Sequence, residues 1–465
     1  MRLVILGAGP TCLGALFQLK QLQDEGKVAD STVVTVLERE SIAGGLAGST
    51  TDDNGFTWDY GGHITFSHKY PQYDKAVRWA VDQWNEFTRI SQVDMSFVCK
   101  TGQKEELSIV PYPAQFAIPF LPKELQQKCI ADFKACQKLE STSPKDFNDW
   151  VLLNFGPTMN EIFFTPYNQK IWTVKLTEMN ANWVGTRVAK LEPEKLEELC
   201  SNQAKQVDFG WGPNSTFAYP SNGGTGLVWK SLADKLPQNW FSYNSEVSKI
   251  DPKTKTIEFT KAGSLNSIQY DILISTIPLT ELGLLSGLYS TSLAYSRVII
   301  CGIGMERPKP NWIEPHWLYF PDPEVPFHRL NFISNYSTSL TPNPDKYWSM
   351  LTETSRKADE IFDEQEILLN TIECLKKKGF IEDETKIVDR WVKVLPYGYP
   401  IPTVGRDSEL ERLHKLLKPC DIYSRGRFGG WKYEVANQDH SFMQGKELID
   451  RLFLGTKEVV YPTEH

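Results

Sequence analysis

Gly7-Ala8-Gly9-Pro10-Thr11-Cys12 separates an apolar run from a helix-like one, and Glu38 closes a second apolar run. Glycine at 7 permits a tight turn, and glycine at 9 lets backbone amides come close to an anionic group. Pro10 and Thr11 would carry the turn into a helix, whose positive end favours a phosphate. A carboxylate at the end of the second run suits a pair of ribose hydroxyls. Residue types in this order are those of an adenine-dinucleotide site. Cys12 holds the third fingerprint position, where Gly or Ala is usual for close helix–strand packing, so a small shift of the helix is expected there.

The elements that must position these residues are legible around them. Arg2-Leu3-Val4-Ile5-Leu6 reads as a buried strand, Leu13-Gly14-Ala15-Leu16-Phe17 as the opening of a helix, and Thr32 to Leu37 as a second, β-branched strand. The chain has 465 residues, material for roughly three domains. A formal net charge of −8 argues against a nucleic-acid partner, and any anionic ligand must be met by local arginines. No stretch approaches the ~20 apolar residues of a membrane span. The N-terminal run is short and broken by glycines, without the cleavage-site pattern of a signal peptide. The eight cysteines are scattered without a CxxC pair, as in a cytoplasmic protein with reduced thiols. His63 and His68 are the only close histidine pair and nothing completes a cluster around them, so no metal is expected. No Ser-His or Cys-His elbow supplies a side-chain nucleophile.

Two glycine pairs follow the dinucleotide unit, in Gly44-Gly45-Leu46 and in Gly61-Gly62-His63-Ile64-Thr65-Phe66. Pairs this near such a site mark backbone that lies against a flat or phosphorylated ligand. Tyr73 to Trp84 is helical in pattern, and Arg89 to Val110 alternates as strands do. Pro111-Tyr112-Pro113-Ala114-Gln115 is a proline-bounded loop. Lys123 to Cys200 is the clearest helical block: Pro122 opens one helix and Ser143-Pro144-Lys145-Asp146 another, ahead of Phe147. Within it stand Pro166-Tyr167-Asn168-Gln169-Lys170-Ile171-Trp172 and Trp183-Val184-Gly185-Thr186-Arg187. A turn cluster holds Asn214. A helix over 227–236, strands over 245–250 and 256–260, and a buried strand ending in Ser275-Thr276-Ile277-Pro278 come next. Val298 to Met305 and Tyr347 to Glu353 read as strands of a sheet-rich region, with Trp317-Leu318-Tyr319 and His328-Arg329 between them. Tyr397 to Pro402 reads as a loop. The chain closes on Gly426-Arg427-Phe428-Gly429-Gly430-Trp431-Lys432-Tyr433-Glu434-Val435-Ala436-Asn437-Gln438 and a last helix.

From Leu3 to nearly the last residue, these motifs resemble the UDP-galactopyranose mutases, their eukaryotic branch in particular, and they occur in that family's order. The run around Arg427 to Gln438 is the strongest match. The resemblance implies an α/β fold with a discontinuous FAD-binding Rossmann-type domain over 1–88, 220–285 and 405–465. It also implies an inserted helical, substrate-covering domain over 118–205 and a mixed β-sheet substrate domain over 89–117, 206–219 and 286–404. FAD would be held by Gly7, Gly9, Pro10, Thr11, Cys12, Glu38, Gly45, Leu46, Gly61, Gly62 and His63. Val247 would cover the adenine, Arg427 would meet the pyrophosphate, and the amides near Asn437 and Gln438 would face the flavin C2 carbonyl. For a UDP-sugar substrate, Tyr112, Gln115, Asn168 and Trp172 are implied at the uridine, and Phe66, Asn214 and Trp317 near the sugar. Tyr319, Tyr399, Tyr433 and Asn437 would surround the phosphates. Arg187 and Arg329 would grip the diphosphate with guanidinium forks, and with His63 they are the residues implied as essential.

The implied reaction interconverts UDP-galactopyranose and UDP-galactofuranose, with N5 of reduced FAD as nucleophile on the anomeric carbon and UDP leaving and returning. NADPH is the implied reductant, although no second fingerprint marks where it would sit. Thr165 replaces a usual Arg and Gln169 a usual aromatic, which bears on base recognition. Ala436 replaces a usual Gly, at a cost of about 1 kcal/mol if the backbone there needs a positive φ. A mutase for another nucleotide sugar, an FAD-dependent oxidoreductase of the amine-oxidase superfamily and a degenerate, non-enzymatic paralogue stay open, as does homo-oligomerisation.

Overall fold

A computed structural model describes residues 1–66, 68, 70–99, 108–137, 143–185, 193–201 and 215–463. Leu3 to Leu6 carry no polar side chain and are all buried, so their strand needs cover on both faces. It lies in the middle of a five-stranded parallel sheet ordered Ile422–Ser424, Ile272–Ser275, Arg2–Leu6, Val33–Leu37 and Phe241–Ser242. The first helix, Pro10–Asp24, runs against the last, Gln438–Leu454. Two glycines permit that approach. A methyl on Gly14 would land in the carbonyl of Phe442, and one on Gly445 in that of Thr11. The close packing expected of a glycine at position 12 is thus supplied two residues later. Cys12 itself is wholly buried in the core, and burial, with Glu38 nearby, pushes its thiol pKa well up.

A seven-stranded mixed sheet forms the other platform, ordered Ile387–Pro400, Tyr295–Glu306, Tyr347–Lys357, Arg329–Asn331, Trp317–Tyr319, Ser91–Asp94 and Ile109–Pro111. Its pairs are antiparallel except Trp317–Tyr319 with Ser91–Asp94. The loop expected from Tyr397 onward is, as far as Pro400, the end of a long edge strand. Pro396 is tolerated because the register slips between Ser296 and Val298, leaving residues 396–398 in a bulge. One cross-strand row sets the site: Tyr319 pairs with Arg329, Arg329 with Glu353, Glu353 with Ile300, and Ile300 with Lys393. Directly opposed residues share a face, so this row projects into one space.

The helical block holds Lys123–Cys136, Phe147–Met159, Thr165–Trp172 and Pro193–Ser201 around an aromatic core that includes Phe133, Phe147, Phe155 and Phe164. Asp146 caps its helix as the sequence suggests, accepting from the amide of Asp149 at 2.8 Å. What periodicity does not announce is the join that follows. Gly156 adopts φ +75°, and Asn160–Phe164 forms a π-turn before the next helix. Lys170 then ties this helix to the sheet region, donating to the carbonyls of Phe320 at 2.8 Å and Asp322 at 2.9 Å. A three-stranded meander, Ser245–Asp251, Thr256–Lys261 and Ser264–Gln269, lies beside the parallel sheet; its third strand is almost wholly exposed and so lacks the alternation that would reveal it. Among the described residues, no helix is long and apolar enough to cross a membrane.

Candidate active site

A single cleft of about 1370 Å³ runs from the first glycine turn to the helical block. At one end Gly7 takes φ +85°, and Gly9 stands before the first helix without any side-chain cap. Pro10 and Thr11 line the same wall. Gly44 and Gly45 also take positive φ, and a methyl on Gly45 would sit 3.5 Å from the Cα of Gly9, so the two turns face each other with backbone alone. Glu38 accepts from the amides of Ala8 at 2.6 Å and Glu40 at 2.9 Å. Burial raises its pKa, and those two amides oppose the rise. Leu46 and Val247 line the space beside it. Cys12 is not among the residues that line the cleft; its side chain is buried in the core in the first turn of the helix.

Midway, Gly61, Gly62 and His63 form a tight turn, with the amide of His63 on the carbonyl of Gly61 at 2.7 Å. The turn is braced from three sides. Thr225 donates its hydroxyl to the carbonyl of His63 at 2.9 Å, the Gly62 amide donates to Glu353 at 2.8 Å, and a methyl on Gly62 would collide with the amide of Asn331. Asp59, just upstream, accepts from Tyr219 at 2.6 Å and from the Thr225 amide at 3.0 Å; burial pushes its pKa up to about 6. Burial likewise drives His63 down to about 4, against the pull of Glu353, so its ring is neutral near pH 7. Its Nδ1 is buried, has no hydrogen-bond partner among the described residues, and belongs to a residue that lines the cleft.

Arg329, Tyr319, Tyr399 and Tyr433 line the same cleft. Arg329 donates Nε to Glu353 at 2.9 Å and Nη2 to the other oxygen at 2.7 Å. Burial would lower its pKa, but Glu353 raises it well above the ordinary value. Tyr112 and Tyr319 meet at 4.4 Å between ring centroids, Trp172 and Tyr433 at 4.8 Å, and Tyr399 and Tyr433 at 6.1 Å. Burial holds the phenols of Tyr112, Tyr319 and Tyr399 protonated, as donors. Arg427 bridges the bulged edge strand and the turn before the last helix, donating to the carbonyls of Gly398 at 2.8 Å and Ala436 at 3.4 Å, with Tyr399 and Tyr433 under its guanidinium. Trp317 offers an indole Nε1 that is buried without a hydrogen bond of ordinary length among the described residues. Phe66 and the buried Gln115 complete this part of the wall. Asn437 precedes the last helix, which has no side-chain cap; Gln438 is held by Trp229 at 2.6 Å and donates to Ile64 at 3.3 Å. Ala436 has φ −116°, so the substitution there carries no backbone penalty.

In the helical block, Asn168 has its polar atoms engaged locally. It donates to the carbonyl of Phe164 at 2.8 Å and accepts from the indole of Trp172 at 3.1 Å, so it orients Trp172. Thr165 bonds Asn160 at 2.9 Å and Gln169 is exposed; neither lines the cleft, so neither change bears on it directly. Arg187 and Asn214 lie outside the described residues. The sequence reading missed Arg89, Phe163, Trp183, His328 and Glu353, all of which line the cleft. Glu353 lies between two threonines in Ser349-Met350-Leu351-Thr352-Glu353-Thr354, a mixed segment that carries no local signal for it. Also unforeseen, His68, Asp439 and His440 bring ligand atoms within 4.8 Å of one another. His68 bonds Asp439 and stacks on His440 at 4.7 Å. Asp439 and His440 occupy the first turn of the last helix, whose positive end suits the carboxylate and opposes a cation, so the cluster fastens the chain near His68 to that helix.

The cleft fits a flavin dinucleotide on these observations. Glycine turns leave backbone facing backbone at one end, and an orphaned imidazole nitrogen waits at its middle. The family model described as flavin containing amine oxidoreductase matches residues 20–430. A crystal structure of reduced UDP-galactopyranose mutase is 34% identical, with a TM-score of 0.88 over 99% of this chain and 95% of that one. An oxidoreductase from Methanosarcina mazei (14% identical, TM-score 0.64, 97% of this chain and 100% of that one) shares the fold. So does a CLA-producing fatty acid isomerase from P. acnes (13%, 0.59, 97% and 98%).

Proposed function

Because the chain belongs to the UDP-galactopyranose mutase family, within the flavin-containing amine oxidoreductases, we propose that it interconverts UDP-galactopyranose and UDP-galactofuranose with FAD as cofactor. The observation that carries this reading is one cleft lined by Arg329, three tyrosines and the Gly61–His63 turn. When bound and reduced, FAD would supply N5 as the nucleophile toward the anomeric carbon.

The chain's own residues bind, orient and exclude water. Arg329, already fixed edge-on by Glu353, turns its remaining N–H groups to a diphosphate, and Arg187 is its proposed counterpart. The hydroxyls of Tyr319, Tyr399 and Tyr433 donate to further phosphate oxygens without adding charge. Holding a departing UDP in place raises its effective concentration for the return step. Neutral His63 keeps a hydrogen bond at Nδ1 available on the cofactor side. Trp317 presents an indole N–H toward the sugar, and Phe163, Trp172 and Trp183 offer flat faces to the base. NADPH is proposed as the reductant, and the eight free thiols support a reducing, cytoplasmic setting.

The test is anaerobic. Protein reduced with dithionite is incubated with UDP-galactofuranose and followed by chromatography for UDP-galactopyranose, beside an oxidised sample. Turnover only after reduction is expected; no turnover with bound FAD would sink the substrate assignment. The amine-oxidoreductase match supports a second reading, an FAD oxidase, which substrate-dependent peroxide would reveal.

A further inference from the structure

Glu353 is 2% exposed, on the strand Tyr347–Lys357, and its carboxylate takes donors from two functional groups at once. From the cofactor side comes the amide of Gly62 at 2.8 Å. From the substrate side come Nε and Nη2 of Arg329 at 2.9 and 2.7 Å. Asn331, whose side chain also closes the space against Gly62, adds a third donor at 3.0 Å. We propose that Glu353 is a positioning residue that holds the Gly61–His63 turn and the Arg329 guanidinium in one fixed relation along the cleft wall.

Three of these donors, the Gly62 amide, the Asn331 amide and Nε of Arg329, converge on Oε1 of Glu353, while Nη2 of Arg329 meets Oε2. Side-on pairing through Nε and Nη2 leaves Nη1 and one Nη2 proton of Arg329 facing away from Glu353, toward the cleft. The guanidinium therefore cannot rotate about its axis without releasing Glu353, and Glu353 cannot swing without releasing Gly62. The register enforces the same relation, since Arg329 and Glu353 are cross-strand partners with Tyr319 next in the row. His328 lies beyond, with Nε2 at 3.7 Å from the carboxylate; burial lowers its pKa, against the pull of Glu353. The flavin-facing turn and the diphosphate-facing cation are thus parts of one rigid unit, although they come from segments far apart in the chain.

This inference rests on the mutase reading for its substrate half only. The test compares FAD-loaded wild type with Glu353→Gln and Glu353→Asp, using Ser355→Ala on the same strand as a folding control. Two quantities are read: the Kd for UDP and the flavin midpoint potential with its visible spectrum. Gln would set an amide N–H₂ against Nη2 of Arg329, and Asp is one methylene too short to reach both partners. Weakening of UDP by tenfold or more is expected for both variants, together with a shifted flavin potential, while Ser355→Ala moves neither. A structural role alone would lower the melting temperature and leave both readouts unchanged in the folded fraction, which would overturn the proposal. A change in one readout without the other would also overturn it, because the two sides would then be held independently. If wild type binds FAD but no UDP, the mutase reading fails; the flavin potential of Glu353→Gln then decides the Gly62 half by itself.

Discussion

At the dinucleotide end of the cleft, Gly7, Gly9, Gly44 and Gly45 present backbone to backbone, and the buried carboxylate of Glu38 is tied to two amides. At the substrate end the wall is side chain throughout: Arg329, three tyrosines and a set of aromatic rings, many held by partners from other segments. The first end is set by which residues have no side chain, the second by which side chains are held still. A backbone-built site fails when an atom is added; a side-chain-built site fails when a partner is removed.

The strongest way to break this comparison is Arg329→Ala. It should leave Glu353 as a buried, unpaired charge and cost about 3–5 kcal/mol, read as a fall in the urea midpoint, with UDP binding lost. Arg329→Lys should keep the charge and much of the stability yet still weaken UDP about tenfold, since an ammonium cannot replace the fork. Equal effects of the two would mean that charge alone matters there.

A second test lies between the two ends. The pKa of Asp59 is raised to about 6 from the ordinary 3.8, so the native state binds its proton more tightly than the unfolded chain. Its contribution to stability is therefore largest at low pH and declines as pH rises from about 4 to 6, by roughly 3 kcal/mol over the interval. Asp59→Asn should gain on wild type over that range in denaturation curves taken at several pH values. A constant difference would place Asp59 in a more hydrated setting than its burial indicates.

Next in size is Gly14→Ala. One methyl in the first helix should force it away from Phe442, destabilise by about 1–3 kcal/mol and lower flavin occupancy, while UDP affinity of the loaded fraction stays the same. The smallest effect is expected of Ala436→Gly. With φ −116° no relief is available, and stability should fall by less than about 1 kcal/mol, measured by melting temperature. A gain would show that the loop before the last helix adopts a left-handed turn in solution.

The same contrast explains what was readable. The strand, turn and helix over residues 2–17, and the strand ending at Glu38, carry their information locally, because period, glycine and terminal carboxylate lie side by side in the sequence. Gly14 was within reach for the same reason, two positions past the apparent blemish at Cys12. The substrate end depends on register. Glu353 matters because it opposes Arg329 across two strands and meets Gly62 from a remote turn, and no spacing in the chain encodes that. Tyr397 to Pro400 read as a loop because a bulge that rescues a strand is invisible until its partner is known. Thr165 and Gln169 looked consequential because their neighbours are; which side of the helix faces inward is decided upstream.

That decision is made by the π-turn Asn160–Phe164. Such a turn is an α-helix carrying one extra residue, so it rotates everything after it by about 100°. Asn168 and Trp172 face the cleft, and Gln169 the solvent, only in this phase. Loss of a single residue between 160 and 164 would advance the phase by one position and exchange the aromatic wall for its neighbours, with every strand, helix and arginine left in place. Preference among substrates in this architecture can therefore evolve by a one-codon deletion or insertion as readily as by substitution, and sequences compared without allowing for that offset would be matched on the wrong face.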